Sequence, residues 1–167
     1  MDADRLVELA WFMLPAYLAN MAPPFTRFWK GWNRPISVRL LGSHKTVLGF
    51  AVGVLTAVLA TAMQAAFAPA QALIDYSQWL LAGLAFGFGS MGGDCLKSLL
   101  KRRLGIAPGA RWIPLDQLDF ALGSLLLVAP LANLRWVDVL AILAVTLVGD
   151  LAVNRLAHRL RIKDTPW

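Results

Sequence analysis

The chain has 167 residues, 58% of them hydrophobic and 16% charged, whereas a soluble domain runs near roughly half apolar and a quarter charged. The single cysteine, Cys95, excludes an internal disulfide. The charges fall in blocks rather than being spread over the chain, and that pattern excludes an ordinary soluble domain, which has no room for several long charge-free helices.

Leu9–Thr26, Thr46–Ile74 and Tyr76–Gly93 contain no charged residue, and Phe120–Leu134 and Val139–Gly149 are shorter runs of the same kind. A helix rises about 1.5 Å per residue, so roughly 20 residues cross the hydrocarbon layer. The pattern predicts an all-α polytopic membrane protein of about five spans, near 8–25, 46–67, 74–93, 118–134 and 136–155, forming one domain over 1–167. The start of the chain sets Asp2, Asp4 and Glu8 against one Arg5. A signal peptide has a basic start, so the first span is expected to be retained.

Of the 16 Lys and Arg residues, all but Arg5 and Arg135 lie in three segments: 26–45, 92–116 and the tail after 154. With five spans these segments share one side. The positive-inside rule makes that side cytoplasmic and places the amino terminus outside. The net charge of +6 then lies on one membrane face, beside anionic headgroups. The seven tryptophans fall near predicted boundaries, as interfacial belts do. No aromatic-basic sheet motif points to a nucleic-acid partner.

Candidate chemistry gathers at the basic ends of the spans. In the first, Asn20 precedes Pro23-Pro24, where prolines free backbone carbonyls. The loop Leu41-Gly42-Ser43-His44-Lys45-Thr46 resembles the end of a phosphate-binding loop, but the first glycine and the preceding strand of a P-loop are missing, so a P-loop NTPase is rejected. Lys45 reads equally as a snorkelling lysine or a phosphate ligand. Gly83, Gly87, Gly89 and Gly93 make small-xxx-small pairs suited to helix packing, while Gly92 and Gly93 could also admit a ligand to the backbone. If the helix continues past Gly93, Asp94, Lys97, Ser98 and Lys101 share one face, with Arg102 alongside. That face is either an interfacial amphipathic helix with an internal ion pair or part of a site.

Beyond the Pro108-Gly109 turn come Asp116 and Asp119, three apart at the mouth of the fourth span. Their plain roles are helix capping and dipole complementarity. Acids at that depth are costly, however, and usually functional. Asp94, Asp116 and Asp119 supply the oxygen ligands that Mg2+ prefers, with Lys97, Lys101 and Arg102 facing phosphates. Asp150 and Asn154, four apart in the last span, are expected to turn inward toward the same pocket.

Taken together, Leu18-Ala19-Asn20-Met21-Ala22-Pro23, Leu41–Thr46, Gly92-Gly93-Asp94 with Lys97-Ser98 and Lys101-Arg102-Arg103, Leu115-Asp116-Gln117-Leu118-Asp119-Phe120, Asn154-Arg155-Leu156-Ala157 and Pro166-Trp167 resemble the archaeal CDP-archaeol synthase family, relatives of the CDP-diacylglycerol synthases. The resemblance runs nearly end to end. It implies five membrane helices, a cytoplasmic CTP–Mg2+ site in the cell membrane, and transfer of CMP from CTP to an archaetidic-acid-like lipid phosphate with release of pyrophosphate. It makes Asp94, Lys97, Lys101, Asp116 and Asp119 the expected catalytic residues, with Asp94, Asp116 and Asp119 on the metal. The expected substrate contacts are Asn20, Lys45, Thr46, Gly92, Gly93, Ser98, Arg102 and Asn154. A CTP-dependent lipid kinase and a small transporter are the rival readings; no internal inverted repeat supports the second. The oligomeric state and the lipid tails are not legible in the sequence.

Overall fold

The computed structural model describes residues 2–67, 72–107 and 110–160. The Pro108-Gly109 turn and the tail carrying Arg161, Lys163, Pro166 and Trp167 lie outside the described residues. Among those described there is no strand, only two isolated antiparallel bridges, Pro35 with Thr46 and Ile74 with Ala132. The helices are α1 (Ala3–Met21), α2 (Val38–Leu41), α3 (Val47–Ala66), α4 (Trp79–Arg103), α5 (Leu115–Val128) and α6 (Trp136–Arg159).

Three of these are long and apolar enough to cross a membrane: Val47–Ala66, Tyr76–Arg103 and Trp136–Leu156. Helix α1 begins earlier than the charge-free run predicts, because Asp4, Arg5 and Glu8 join its first turns. Helix α5 is shorter than its predicted span of 118–134. It stops at Val128, and Ala129–Leu131 continue as a single 3-10 turn around Pro130. At about 1.5 Å per residue its 14 residues span about 21 Å, well under the roughly 30 Å hydrocarbon layer. Helix α4 runs ten residues past the predicted end at Gly93, so that the charged stretch Asp94–Arg103 is helical. It closes with Gly105 at φ +69°, where Ile106 N–H bonds Lys101 O and Gly105 N–H bonds Arg102 O. That paired closure needs the left-handed backbone that glycine adopts freely.

The long helices alternate in direction. Two ends of the bundle are fastened in different ways. At one end the Asp138 carboxylate lies fully covered between Arg5 of α1 and Arg135, at 2.7 and 3.0 Å. Nearby, Asn133 N–H bonds Leu73 O, joining the two loops there. The other end collects the close of α1, the starts of α3 and α5 and the close of α4, together with the basic loops.

Inside the bundle, several buried polar groups find partners on neighbouring helices. Pro15 lacks an N–H and leaves the Trp11 carbonyl without its helical donor; the buried Gln64 of α3 donates its Nε2–H to that oxygen at 2.5 Å. Tyr17 and Thr146 share a hydroxyl bond at 2.8 Å between α1 and α6. Phe12 and Phe86 pack edge-on with ring centres 5.2 Å apart.

Glycine sets the spacing around α4. A Cβ on Gly83 would lie 2.9 Å from Val58 Cα, and one on Gly87 2.8 Å from Val54 Cα, so both glycines admit α3. On the opposite face, Gly89 would meet Ser124 Cα at 2.6 Å and Gly123 would meet Gly93 Cα at 2.9 Å. Backbone meets backbone there, and the α4–α5 contact is the most extensive in the molecule. This is the small-residue packing of membrane helices. Gly93 is thus a packing residue against the Asp119 backbone, not an open approach for a ligand, whereas Gly92 faces open space.

Gly123→Val should separate α4 from α5 and lower the unfolding temperature in detergent, at a cost of about 1–3 kcal/mol or more. Gly149→Ala, in open space on α6, should leave it unchanged or raise it slightly. Tryptophan-fluorescence melts of the two variants beside the parent check the pair.

Candidate active site

The site forms where α4 leaves the bundle. Asp94, Lys97 and Lys101 follow one face of α4 at helical spacing. Asp116 and Asp119 follow the first turns of α5, and the glycine contact brings the two faces together. Lys97 Nζ lies 3.1 Å from Asp94 Oδ1, 2.7 Å from Asp119 Oδ2 and 3.7 Å from Asp116 Oδ1. Lys101 Nζ pairs with Asp116 at 2.8 Å and donates to Ala110 O at 2.6 Å. Lys45, from the loop before α3, pairs with Asp94 Oδ2.

Lysines and aspartates therefore alternate from Lys45 through Asp94, Lys97 and Asp116 to Lys101, with Asp119 branching from Lys97, three carboxylates and three ammoniums in all. The chain of charges is neutral as a whole. Its members are largely shielded from solvent, with the Asp119 side chain only 5% exposed. Each charge is held by its partners, and removing one leaves an uncompensated neighbour in a poorly solvated place.

The local sequence explains how each group is aimed. Lys45 is fixed by a two-bond bridge: Ile36 N–H donates to Lys45 O at 2.8 Å and Val47 N–H to Arg34 O at 2.9 Å. Thr46 then caps α3, its hydroxyl oxygen accepting from Gly49 N–H at 3.1 Å. Asp116 does not act as the N-cap; Pro114 stands there, and Asp116 Oδ2 instead accepts from Trp112 N–H at 2.6 Å. That bond holds the carboxylate toward Lys101.

Beside Asp94 opens a cleft of about 570 Å3, within the usual range of small-ligand sites. Its walls come from Asn20 and Pro23 at the end of α1, Thr26, Arg27 and Asn33 in the following segment, Ser43–Thr46 in the loop, and Met91, Asp94 and Cys95 on α4. Asn20, Lys45 and Thr46, three of the substrate contacts expected from sequence, are among the lining residues. The Asn33 Oδ1 atom is buried and has no hydrogen-bond partner among the described residues.

Other expected contacts lie elsewhere. The Ser98 hydroxyl is used within α4, donating to Asp94 O at 2.9 Å. Arg102 turns toward the loop side, donating to Ile106 O at 3.4 Å. Asn154 is buried on α6 and donates to Asp150 Oδ2 at 2.8 Å, and neither residue lines the cleft. Among the described residues, the expected convergence of four spans on one pocket is not seen for α6, which packs mainly on α5. Thr26, Arg27 and Asn33 were not legible as cleft residues. Arg27 read as a topology charge, and the other two carry no motif.

Among the described residues, no three acid, histidine or cysteine side chains form a ready ligand cage. The three carboxylates instead converge on the Lys97 ammonium. Their donor set, hard oxygens aimed at one cationic point, fits a hard divalent ion in kind.

Residues 3–167 match the CarS-like CDP-archaeol synthase family. The chain belongs to the CDP-archaeol synthase family. It is 35% identical to the CDP-archaeol synthase of Methanospirillum hungatei, over 93% of this chain and all of that one. It is 36% identical to that of Methanopyrus kandleri, over 94% and 91% of the two chains, and 30% identical to that of Archaeoglobus fulgidus, over 98% and 99%. A solved intramembrane enzyme for archaeal membrane lipids biosynthesis superposes with a TM-score of 0.74 and 30% identity, covering 89% of this chain and 94% of that one. Membership makes the chain a membrane-embedded enzyme, a CTP-using cytidylyltransferase of lipid synthesis.

Lys97→Met should leave three carboxylates without their shared cation and destabilise the fold by about 3–5 kcal/mol. A divalent cation that takes the vacated place should restore part of the lost melting temperature. Melts of this variant with and without Mg2+ test the fit of the carboxylates for a metal, independently of turnover.

Proposed function

We propose that this chain transfers CMP from CTP to an archaetidic-acid-like lipid phosphate, releasing pyrophosphate, at a site facing the cytoplasm of a five-span, outside-amino-terminus bundle. The observation that carries the reading is the neutral chain of three lysines and three aspartates at the edge of a nucleotide-sized cleft, at the border of the apolar layer. The orientation is supported by the sequence, in which 14 of the 16 basic residues fall in three segments that five spans would put on one side.

The chemistry places few demands on a general base. The second pKa of a phosphate monoester is near about 6, so the lipid phosphate is already mostly ionised at neutral pH. Its oxygen attacks the α-phosphorus of CTP, a P–O bond forms there, and the bond to the β-phosphate oxygen breaks as pyrophosphate leaves. The problem for the protein is to bring two polyanions together. In the free enzyme each lysine is spoken for by a carboxylate, so the site is neutral and unsuited to a polyphosphate alone.

Asp94, Asp116 and Asp119 would hold Mg2+, which would supply charge neutralisation for the nucleotide phosphates. With these acids engaged by a cation, Lys45, Lys97 and Lys101 would pair with phosphate oxygens instead. Lys45 is placed to serve both sides, because it lines the cleft and touches Asp94. Asn20 and Thr46 border the same cleft and orient the nucleotide. Asp119, the most enclosed of these acids, fixes Lys97 between α4 and α5 and would be one of the metal's ligands. The lipid phosphate approaches from the bilayer with its tails left among the helices.

The deciding assay uses the purified chain in lipid discs with CTP, Mg2+ and a panel of ether- and ester-linked lipid phosphates, followed by mass spectrometry. A CDP-lipid with equimolar pyrophosphate is the expected product; CDP with a phosphorylated lipid alcohol would indicate a kinase instead. EDTA should stop turnover and added Mg2+ should restore it. Asp119→Asn should lose about 10²–10³ in rate, the usual cost of one preorganised electrostatic contact, and near-normal CMP transfer by the folded variant would refute its role.

A further inference from the structure

The segment joining α1 to α3 gives Thr26, Arg27 and Asn33 to the cleft. The same segment exposes Phe25, Phe28, Trp29, Trp32, Val38 and Leu40, each more than half accessible. Six large apolar side chains so close in sequence form a patch that water does not favour. Lys30, Arg34 and Arg39 are exposed within the same stretch, and among the described residues none of the three pairs with a carboxylate. No acidic residue occurs anywhere between Leu9 and Ile74.

Position adds to composition. The segment leaves α1 at Met21 and enters α3 at Val47, two helix ends at the same end of the bundle. It can travel neither deep into the apolar layer, where its cations would be stranded, nor far into water, since both of its ends are tethered. Tryptophan and phenylalanine beside lysine and arginine, with no intervening acid, are the chemistry of the headgroup zone.

We infer that this strap docks on anionic lipid headgroups of the leaflet where the cleft opens. The aromatic rings enter the acyl boundary while Lys30, Arg34 and Arg39 pair with lipid phosphates. Because residues of the same segment wall the cleft, docking on the lipid surface holds that wall in place. A nucleotide cleft so built is formed by protein on one side and steadied by membrane on the other. The inference rests on the membrane placement of the bundle and not on the reaction proposed above, so either can fail without the other.

Hydrogen exchange decides it, on the whole protein in discs of phosphatidylcholine alone and of phosphatidylcholine with one third phosphatidylglycerol. Discs expose both faces, so the orientation of the chain does not affect the reading. A cation at an anionic surface is worth roughly fivefold in partitioning; amides of residues 25–41 should therefore exchange at least severalfold more slowly in the anionic discs. That difference should shrink in high salt, and Lys30→Gln/Arg34→Gln/Arg39→Gln should abolish it, while α3 and α4 exchange alike in all samples. Equal exchange of the wild-type strap in both discs at low salt would overturn the inference, as would a folded triple variant that keeps the full difference. If the triple variant does not fold, the salt series on the wild-type chain decides the question: a difference that persists unchanged in high salt overturns the docking.

Discussion

The approach of α4 to α5 over bare backbone is the constraint on which the site depends. Gly89 and Gly93 on one helix face Gly123 on the other, and the chains meet where side chains would ordinarily hold them apart. Only at that separation does the Lys97 ammonium reach across to Asp119 while still contacting Asp94 on its own helix. The dispersion and backbone contacts of the interface and the ion pairs above it reinforce one another. Together they hold six charges at the edge of an apolar layer with no net charge among them. A wider helix pair would leave Asp119 buried with no cation at all, which is costly enough to shift the fold or neutralise the acid.

A second constraint comes from the helix ends. The extension of α4 past the bundle lets Asp94, Lys97 and Lys101 stay in register as they pass from lipid toward water. The closure at Gly105 then turns the chain toward α5. On the other side of Asp94, the bridge between Pro35 and Thr46 makes the loop a fixed hinge rather than a tether, and Lys45 inherits that rigidity. The cleft and the charge chain are thus assembled from separate parts of the chain, meeting at Asp94. This division suits a reaction with one water-soluble and one membrane-bound substrate, because each can reach a common centre from its own phase.

Much of this was legible because the bilayer imposes simple rules. Charge-free runs located α3 and α6 closely and α4 only in part, and the basic blocks marked the end where the candidate site lies. The i, i+3, i+4, i+7 spacing put Asp94, Lys97, Ser98 and Lys101 on one face, but periodicity cannot say which groups face a pocket and which close on their own helix. Ser98 does the latter. The length of α5 was misjudged because a charge-free stretch continues past Pro130, and hydropathy does not register the loss of helical geometry there. Asn33 and Thr26 were invisible because a pocket wall made of loop has no period to detect.

By itself the sequence determined that the chain is a helical membrane protein, which end carries the charge, and which acids and lysines are expensive enough to need a purpose. Composition and spacing settle these points because transfer of charge into hydrocarbon is costly wherever it occurs. Only the tertiary structure decided that Asp116 and Asp119 share a lysine with Asp94, that Lys45 completes the set from a distant loop, and that Asp150 and Asn154 stand apart. Those outcomes depend on which helices touch and at what distance, and a few glycines and one loop bridge fix that distance through contacts between residues far apart in the chain.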